Sequence, residues 1–185
     1  MLTRAFLILV LCTGLAACSG YRRPPSAFHE TLTMPYQLDS SDKLRIIVFG
    51  QTDLSNTYTV DQAGYISFPL IGLVAVRGKT QQELANLIAH KLRKGYLRDP
   101  DVSVEVDSYR PIFIMGEVQN AGQYNYVAGM TVQNAIATAG GFSSRARQQD
   151  VDITRQVNGE IINGRVPISD PIRPGDTIYV RERYF

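Results

Sequence analysis

The chain has 185 residues, an apolar fraction of 44%, and 19 Lys and Arg against 17 Asp and Glu. A formal charge of +2 without a basic block offers nucleic acid no electrostatic footprint, so that class of partner is excluded. The only cysteines are Cys12 and Cys18, both at the extreme N-terminus, which excludes a disulfide framework or a cysteine metal site in the folded part.

The first segment runs from Arg4 through an apolar stretch, Ala5 to about Gly14, into Leu15-Ala16-Ala17-Cys18. A charge, a short apolar run and small residues before a cysteine form the order of a bacterial lipoprotein signal. The run is too short for a bilayer, which takes roughly 20 residues. An ordinary signal peptide with a cysteine at its edge is the plainer alternative. On the lipoprotein reading, residues 1–17 are removed and Cys18 carries lipid. Ser19 stands where Asp would retain a lipoprotein in the inner membrane, so the expected address is the outer membrane, facing the periplasm. Residues 18–35 are polar and contain Arg22-Arg23-Pro24-Pro25, which reads as a tether.

Short apolar stretches from Leu44 to Phe49, Tyr58 to Val60 and Tyr65 to Phe68 predict strands, punctuated by Gly50 and Ala63-Gly64. Pro69 cannot donate to a ladder, so Phe68-Pro69-Leu70-Ile71-Gly72 reads as a bend, after which Val74 and Val76 resume the β pattern. Thr80 and Glu83 form a capping box for a helix with Leu84, Leu87, Ile88 and Leu92 on one stripe and Gly95 at its stop. Asp99-Pro100 turns the chain into an alternating strand, Val102 to Val106.

Arg110-Pro111 marks a boundary. Beyond it, Ile112 to Met115 predicts a strand that continues through Gly116-Glu117-Val118, turns at Asn120-Ala121-Gly122 and returns along Tyr124 and Tyr126. A short helix follows Thr131, with Val132, Ala135, Ile136 and Ala139 on one face and Gly140-Gly141 at its end. Asn158-Gly159 between two β-prone runs is a hairpin signal. Arg173-Pro174-Gly175-Asp176 introduces a last strand, Thr177 to Val180. The pattern V-x-G-x-T-x-Q occurs twice, at Val76–Gln82 and Val127–Gln133, each time where a glycine turn leads into a Thr-capped helix. Distant duplication and convergence on one cap chemistry both account for it.

No catalytic constellation stands out. His29 lies in the tether and His90 off the apolar stripe of its helix, without partners at metal or triad spacing. Asp150 and Asp152 would share a strand face, and Asp99 and Asp101 flank a turn proline; solvated surface charge is the better reading of both pairs. Gly140-Gly141 ends a helix, whereas phosphate cradles begin one. Ten Tyr without a Trp argue against a tight sugar site, though not against a surface that sugars pass.

The ordered set of motifs resembles a known family. It comprises the lipobox, Tyr36-x-Leu38, Asp42-x-Leu44-x-Ile46-x-Val48, Val60-Asp61-x-x-Gly64-x-Ile66 and Phe68-Pro69-Leu70-Ile71-Gly72. It continues with the Thr80–Leu92 helix, Gly116-Glu117-Val118-x-x-Ala121-Gly122-x-Tyr124, Ala139-Gly140-Gly141 and Ile172-x-Pro174-Gly175-Asp176-x-Ile178-x-Val180. This is similar to the Wza-type outer-membrane polysaccharide export proteins. The resemblance implies an α+β fold: a polysaccharide-export domain, a small sheet with one capped helix, over 36–109, then an SLBB domain of β-grasp type over 110–185. It marks Pro69, Gly72, Gly116, Glu117, Gly122, Gly140, Gly141, Gly175 and Asp176 as motif residues with structural roles.

The resemblance further implies a lipoprotein that forms a homo-oligomeric ring, often an octamer, as a conduit for capsular polysaccharide or exopolysaccharide. Its expected partners are an inner-membrane polysaccharide co-polymerase and the exported polymer. No enzyme activity and no cofactor are expected. Two departures matter. Ala121-Gly122 replaces the usual Pro-Gly, with Gly122 expected to keep the positive-φ turn position open. After Val180 only Arg181 to Phe185 remain, without an amphipathic membrane-crossing helix, so a separate outer-membrane β-barrel protein is expected to supply the pore. The rival readings are a monomeric periplasmic SLBB-type ligand-binding or scaffold lipoprotein, and a polysaccharide-modifying enzyme with a carboxylate pair in a cleft.

Overall fold

The computed structural model describes residues 34–157 and 159–183. Cys18, the signal segment, His29, Asn158 and all of the tether except its last two residues lie outside the described residues. The fold is α+β, with two hydrophobic cores in chain order.

The N-terminal unit contains β1 (Lys43–Val48), β2 (Gln51–Thr59), β3 (Tyr65–Phe68), β4 (Gly72–Ala75), α1 (Gln81–Arg93) and β5 (Val102–Ser108). Strand β1 is the centre of an antiparallel sheet of order β2-β1-β5. Its alternation decides which face is buried: Leu44, Ile46 and Val48 enter the core while Lys43 and Arg45 stay in water. Helix α1 lays Leu84, Ala85, Ile88 and Leu92 on that core. Its stripe differs from the expected one, since Leu87 is only half-buried and Ala85 is buried. The Thr80 hydroxyl accepts from the Glu83 N–H at 3.2 Å, and Glu83 accepts from the Thr80 N–H at 2.8 Å. That backbone donor holds the Glu83 carboxyl below the usual range.

Strand β2 corrects the sequence reading, which began it at Tyr58. It starts at Gln51, and only Leu54 among its nine residues is buried. A polar edge strand carries no apolar alternation; pairing with β1 forms it. Strands β3 and β4 form a separate hairpin that closes over the core with Ile66, Phe68 and Val74. The Phe68 ring stacks on Tyr58 at 5.0 Å. At the tip, Phe68 pairs with Gly72, the Ile71 N–H bonds the Pro69 carbonyl at 2.8 Å, and Leu70 is held at φ 67°.

The C-terminal unit contains β6 (Ile112–Gly116), β7 (Gly122–Tyr124), α2 (Val132–Thr138), β8 (Asp150–Val157), β9 (Glu160–Pro167) and β10 (Thr177–Val180). Its sheet has the order β7-β6-β10-β8-β9. The β6–β10 pair is parallel and the others antiparallel, which is the β-grasp arrangement. Helix α2 buries Val132, Ala135 and Ile136 against one face, with Ile114, Ile153 and Ile178. Gly159 has φ +86° between the paired residues Val157 and Glu160, as a tight hairpin requires. Tyr126, expected in the return strand, lies beyond its end at Tyr124.

The repeated V-x-G-x-T-x-Q segments adopt one geometry. Gly78 and Gly129 have φ +76° and +81°, and Thr80 and Thr131 both cap through complete boxes, closed by Glu83 and Asn134. Among the described residues no helix is long and apolar enough to cross a membrane.

Candidate functional site

The two units meet at a pair of buried aspartates. Asp42, just before β1, is fully buried. Its Oδ2 accepts from the Tyr36 hydroxyl at 2.7 Å and the Asp39 N–H at 2.9 Å, and its Oδ1 accepts from the Arg110 N–H at 2.9 Å. Arg110 belongs to the link between β5 and β6. Its Nη1 donates to the Tyr36 hydroxyl at 3.0 Å and lies 3.5 Å from Asp42 Oδ2. Burial pushes the Tyr36 phenol far above the usual range, against the opposing pull of Arg110, so it stays protonated and donates to Asp42.

The same arginine reaches the other unit. Arg110 Nε donates to the Pro174 carbonyl at 3.1 Å and lies across Gly175, where a Cβ would sit 2.7 Å from Nε. Gly175 is at φ +84°, so both backbone and space demand glycine. Next to it Asp176 is fully buried. It takes Arg155 as a fork: Nε to Oδ1 at 2.8 Å and Nη2 to Oδ2 at 2.6 Å, with the Arg173 N–H on Oδ2 at 2.8 Å.

Beside this junction opens a polar cleft of about 440 Å³ whose charged lining includes Asp39, Arg77, Arg110, Arg155 and Arg173. Arg77 spends its donors on Asp39 Oδ1 at 2.8 Å, the Ser40 hydroxyl at 2.5 Å and the Gln62 carbonyl at 2.7 Å. Burial would raise the Asp39 pKa, but bonds from Arg77 and the Ser40 N–H outweigh it and hold the carboxyl below its usual range. Three of the four cations are thus matched by carboxylates, Arg77 by Asp39, Arg110 by Asp42 and Arg155 by Asp176, while Arg173 has no ion pair among the described residues.

The motif residues divide among three places. Gly175 and Asp176 build the junction. Pro69 and Gly72 shape the β3–β4 tip, where Gly72 is at φ +69°. Gly116, Glu117, Gly140 and Gly141 tie the β6–β7 loop to the end of α2. There the Glu117 N–H bonds the Val180 carbonyl at 2.9 Å, Ser143 donates its hydroxyl to Glu117 Oε2 at 2.5 Å, and the Gln119 N–H bonds the Gly141 carbonyl at 3.0 Å. Gly140, at φ +84°, faces Asn120 Nδ2 at 2.7 Å from a built Cβ.

Gly122 corrects an expectation. Its φ lies outside the left-handed region; it opens β7 opposite Ile114, and a Cβ there would meet only the Tyr124 ring, at 3.9 Å. The turn spends its positive φ at Gly116 instead. Gly122→Ala is therefore expected to be neutral or stabilising by up to about 1 kcal/mol, because alanine reduces the freedom of the unfolded chain. Urea denaturation checks this; a loss above about 1 kcal/mol would show a constraint at Gly122 that the backbone does not display.

Asp150 and Asp152 depart from the surface reading as well. Asp150 is buried and pairs with Arg147 Nη2 at 3.0 Å and with Arg181. Arg181 also reaches Asp152 at 3.0 Å, and Arg165 completes the network at 3.0 Å. His90 is exposed on α1, and among the described residues no cluster of His, Cys, Asp and Glu could hold a metal. Sequence reading meets Tyr36 and Asp42 only as parts of an opening motif and Arg110 as a boundary. Arg155, one basic residue in a strand, has no sequence signal of its role.

Residues 31–107 match the family described as polysaccharide biosynthesis/export protein, and residues 111–166 match the SLBB domain. The chain carries a polysaccharide-export domain followed by an SLBB domain. This is an export family and not an enzyme family. The SLBB sheet runs past the matched segment, since its central strand β10 lies at Thr177–Val180.

Among curated relatives, the exopolysaccharide production protein ExoF of Rhizobium meliloti is 38% identical over 118 residues, covering 57% of this chain and 28% of that one. The EPS I polysaccharide export outer membrane protein EpsA of Ralstonia solanacearum is 27% identical over 183 residues, covering 80% and 48%. The polysialic acid transport protein KpsD of Escherichia coli is 26% identical over 159 residues, covering 80% and 28%. The chain thus spans less than half the length of these relatives.

Proposed function

We propose that the chain is the periplasmic, lipid-anchored subunit of an oligomeric conduit that exports capsular polysaccharide or exopolysaccharide across the outer membrane. The acyl group on Cys18 holds it to the membrane, and an inner-membrane polysaccharide co-polymerase meets the ring from below. The names of EpsA, an export protein, and KpsD, a transport protein, support the export role, ExoF's supports an exopolysaccharide as the polymer, and EpsA's supports the outer membrane.

The observation that carries the assembly is a pair of unlike apolar patches. On the export domain, Tyr65, Leu70 and Leu73 of the β3–β4 hairpin are exposed. On the open face of the SLBB sheet, Phe113 and Met115 of β6 and Tyr179 of β10 are exposed, with Met115 directly opposite Tyr179. Two different patches on one chain suit a head-to-tail contact, and such contacts make rings where the rotation between subunits closes and filaments where it does not.

The test uses the full chain isolated in mild detergent and imaged by electron microscopy. Rings are expected from the wild type, and monomers from Leu73→Glu and from Met115→Glu. Mixing the two variants leaves one good contact, between the intact SLBB patch of the first and the intact hairpin patch of the second, so heterodimers and nothing larger should form. A wild type that stays monomeric with its envelope partners present contradicts the conduit. It would favour the monomeric ligand-binding or scaffold reading, which the polar cleft supports.

A further inference from the structure

A smaller pocket shares Tyr36, Arg173 and Pro174 with the polar cleft. It has a volume of about 290 Å³, and its lining includes Tyr36, Tyr109, Tyr126 and Arg173. The three rings form a chain of edge contacts: Tyr36 to Tyr109 at 5.0 Å and 83°, then Tyr109 to Tyr126 at 5.4 Å and 80°. Tyr36 lies in the export-domain match, Tyr109 in the link between β5 and β6, Tyr126 in the SLBB match and Arg173 between β9 and β10. The pocket is therefore lined from both sides of the junction.

Arg173 is the anomaly. Its side chain is half-buried, yet among the described residues it forms no ion pair, and its guanidinium donates only to the Met34 carbonyl, at 2.9 Å. The carboxylates close to the junction are already taken: Asp42 by Tyr36 and Arg110, Asp176 by Arg155. Burial, and then the nearby charge of Arg155, hold the Arg173 pKa below the usual guanidinium range, with Asp176 offsetting part of this. A half-buried cation among cations stabilises an arriving anion, and a planar fork suits a carboxylate. Aromatic side chains beside it offer apolar area to the C–H face of a sugar.

We propose that this pocket is a subsite for one acidic sugar residue, with its carboxylate on Arg173 and its ring against Tyr126 and Tyr109. A volume just below the usual range for small-molecule sites, about 300–1,000 Å³, fits a single sugar unit and not an oligosaccharide. Binding is expected to be weak, at about millimolar Kd, which lets a moving polymer leave as readily as it enters. The proposal relies on the export reading only for the source of the sugar.

Saturation-transfer NMR on the full chain in detergent tests it, because the method reads the small molecule whatever the size of the assembly. Sodium glucuronate, glucose and sodium acetate are compared at constant ionic strength. Glucuronate should receive saturation at its ring protons, with glucose and acetate each about tenfold weaker, since each keeps half of the contact. Arg173→Gln should cut the glucuronate signal about tenfold with an unchanged melting temperature, and Tyr126→Leu should cut it with the cation intact. Equal signals from glucose and glucuronate, or an undiminished signal in Arg173→Gln, overturn the proposal. The wild-type comparison stands even if a variant misfolds. Export is scored separately in a deletion strain complemented with the wild-type chain. Normal export without the chain defeats the export reading alone, whereas absent glucuronate binding defeats the subsite alone.

Discussion

Asp176→Ala should lose about 3–5 kcal/mol of stability, enough to bring the SLBB domain close to unfolding at physiological temperature. The reason is an asymmetry in how buried charges behave. Arg155 is 2% exposed and Asp176 is 0% exposed, and the two meet through parallel bonds at 2.8 and 2.6 Å. Removing the carboxylate leaves a guanidinium in the interior without its fork partner, and also strips the Arg173 N–H of its acceptor. Replacing both partners, as in Arg155→Met with Asp176→Leu, removes the buried charge altogether and should cost clearly less than Asp176→Ala alone. Urea denaturation followed by far-UV circular dichroism gives both values. An Asp176→Ala loss under about 1 kcal/mol, or a double variant no better than the single, would mean that the pair is not what holds the turn.

The second large effect is expected at Gly116. Substitution by alanine should cost about 3–4 kcal/mol, the sum of a strained backbone, a lost hydrogen bond and a displaced core residue. Gly116 has φ +86°, and a Cβ there would lie 2.1 Å from the Val180 carbonyl oxygen. That oxygen also accepts the Glu117 N–H at 2.9 Å, and Val180 is fully buried at the end of the central strand. The collision therefore falls on backbone that cannot swing aside. Gly141 is the control: its φ is +92°, but a Cβ there meets nothing within 4 Å. Gly141→Ala should cost only the conformational strain, about 1–2 kcal/mol. Amide hydrogen exchange distinguishes the two, since Gly116→Ala should release protection along β6 and β10 while Gly141→Ala leaves it intact. Equal losses at the two positions would show that strain, not the Val180 contact, governs Gly116.

Much of the architecture was legible because it is written locally. Leu44, Ile46 and Val48 alternate, Thr80 stands three residues before Glu83, and Arg173-Pro174-Gly175-Asp176 announces a turn before the last strand. Each signal acts within a few residues, and each produced the element it implies. Strand β2 was hidden because Gln51 to Thr57 gain their order from a neighbour and carry no pattern of their own. The junction was hidden for a related reason. Tyr36 is 74 residues from Arg110, and Arg155 is 21 from Asp176; nothing in a linear charge pattern says which cation meets which carboxylate. Asp176 was marked through its turn motif, but its fully buried fork with Arg155 belongs to tertiary structure alone. Gly122 shows the opposite error, where a family turn pattern assigned a positive φ that the backbone there does not adopt.

The strand order of the SLBB sheet sets the timing of its birth. Strand β10, the last made, fills the gap between β6, the first, and β8. Until residues 177–180 emerge, the two flanking hairpins have no common seam, and Ile114 and Ile153 cannot share a core through Ile178. Such a sheet closes late and all at once, since its decisive pairing spans nearly the whole domain. A chain cut short before Thr177 is thus left with an open sheet and exposed edges, and residues 177–180 act as the clasp.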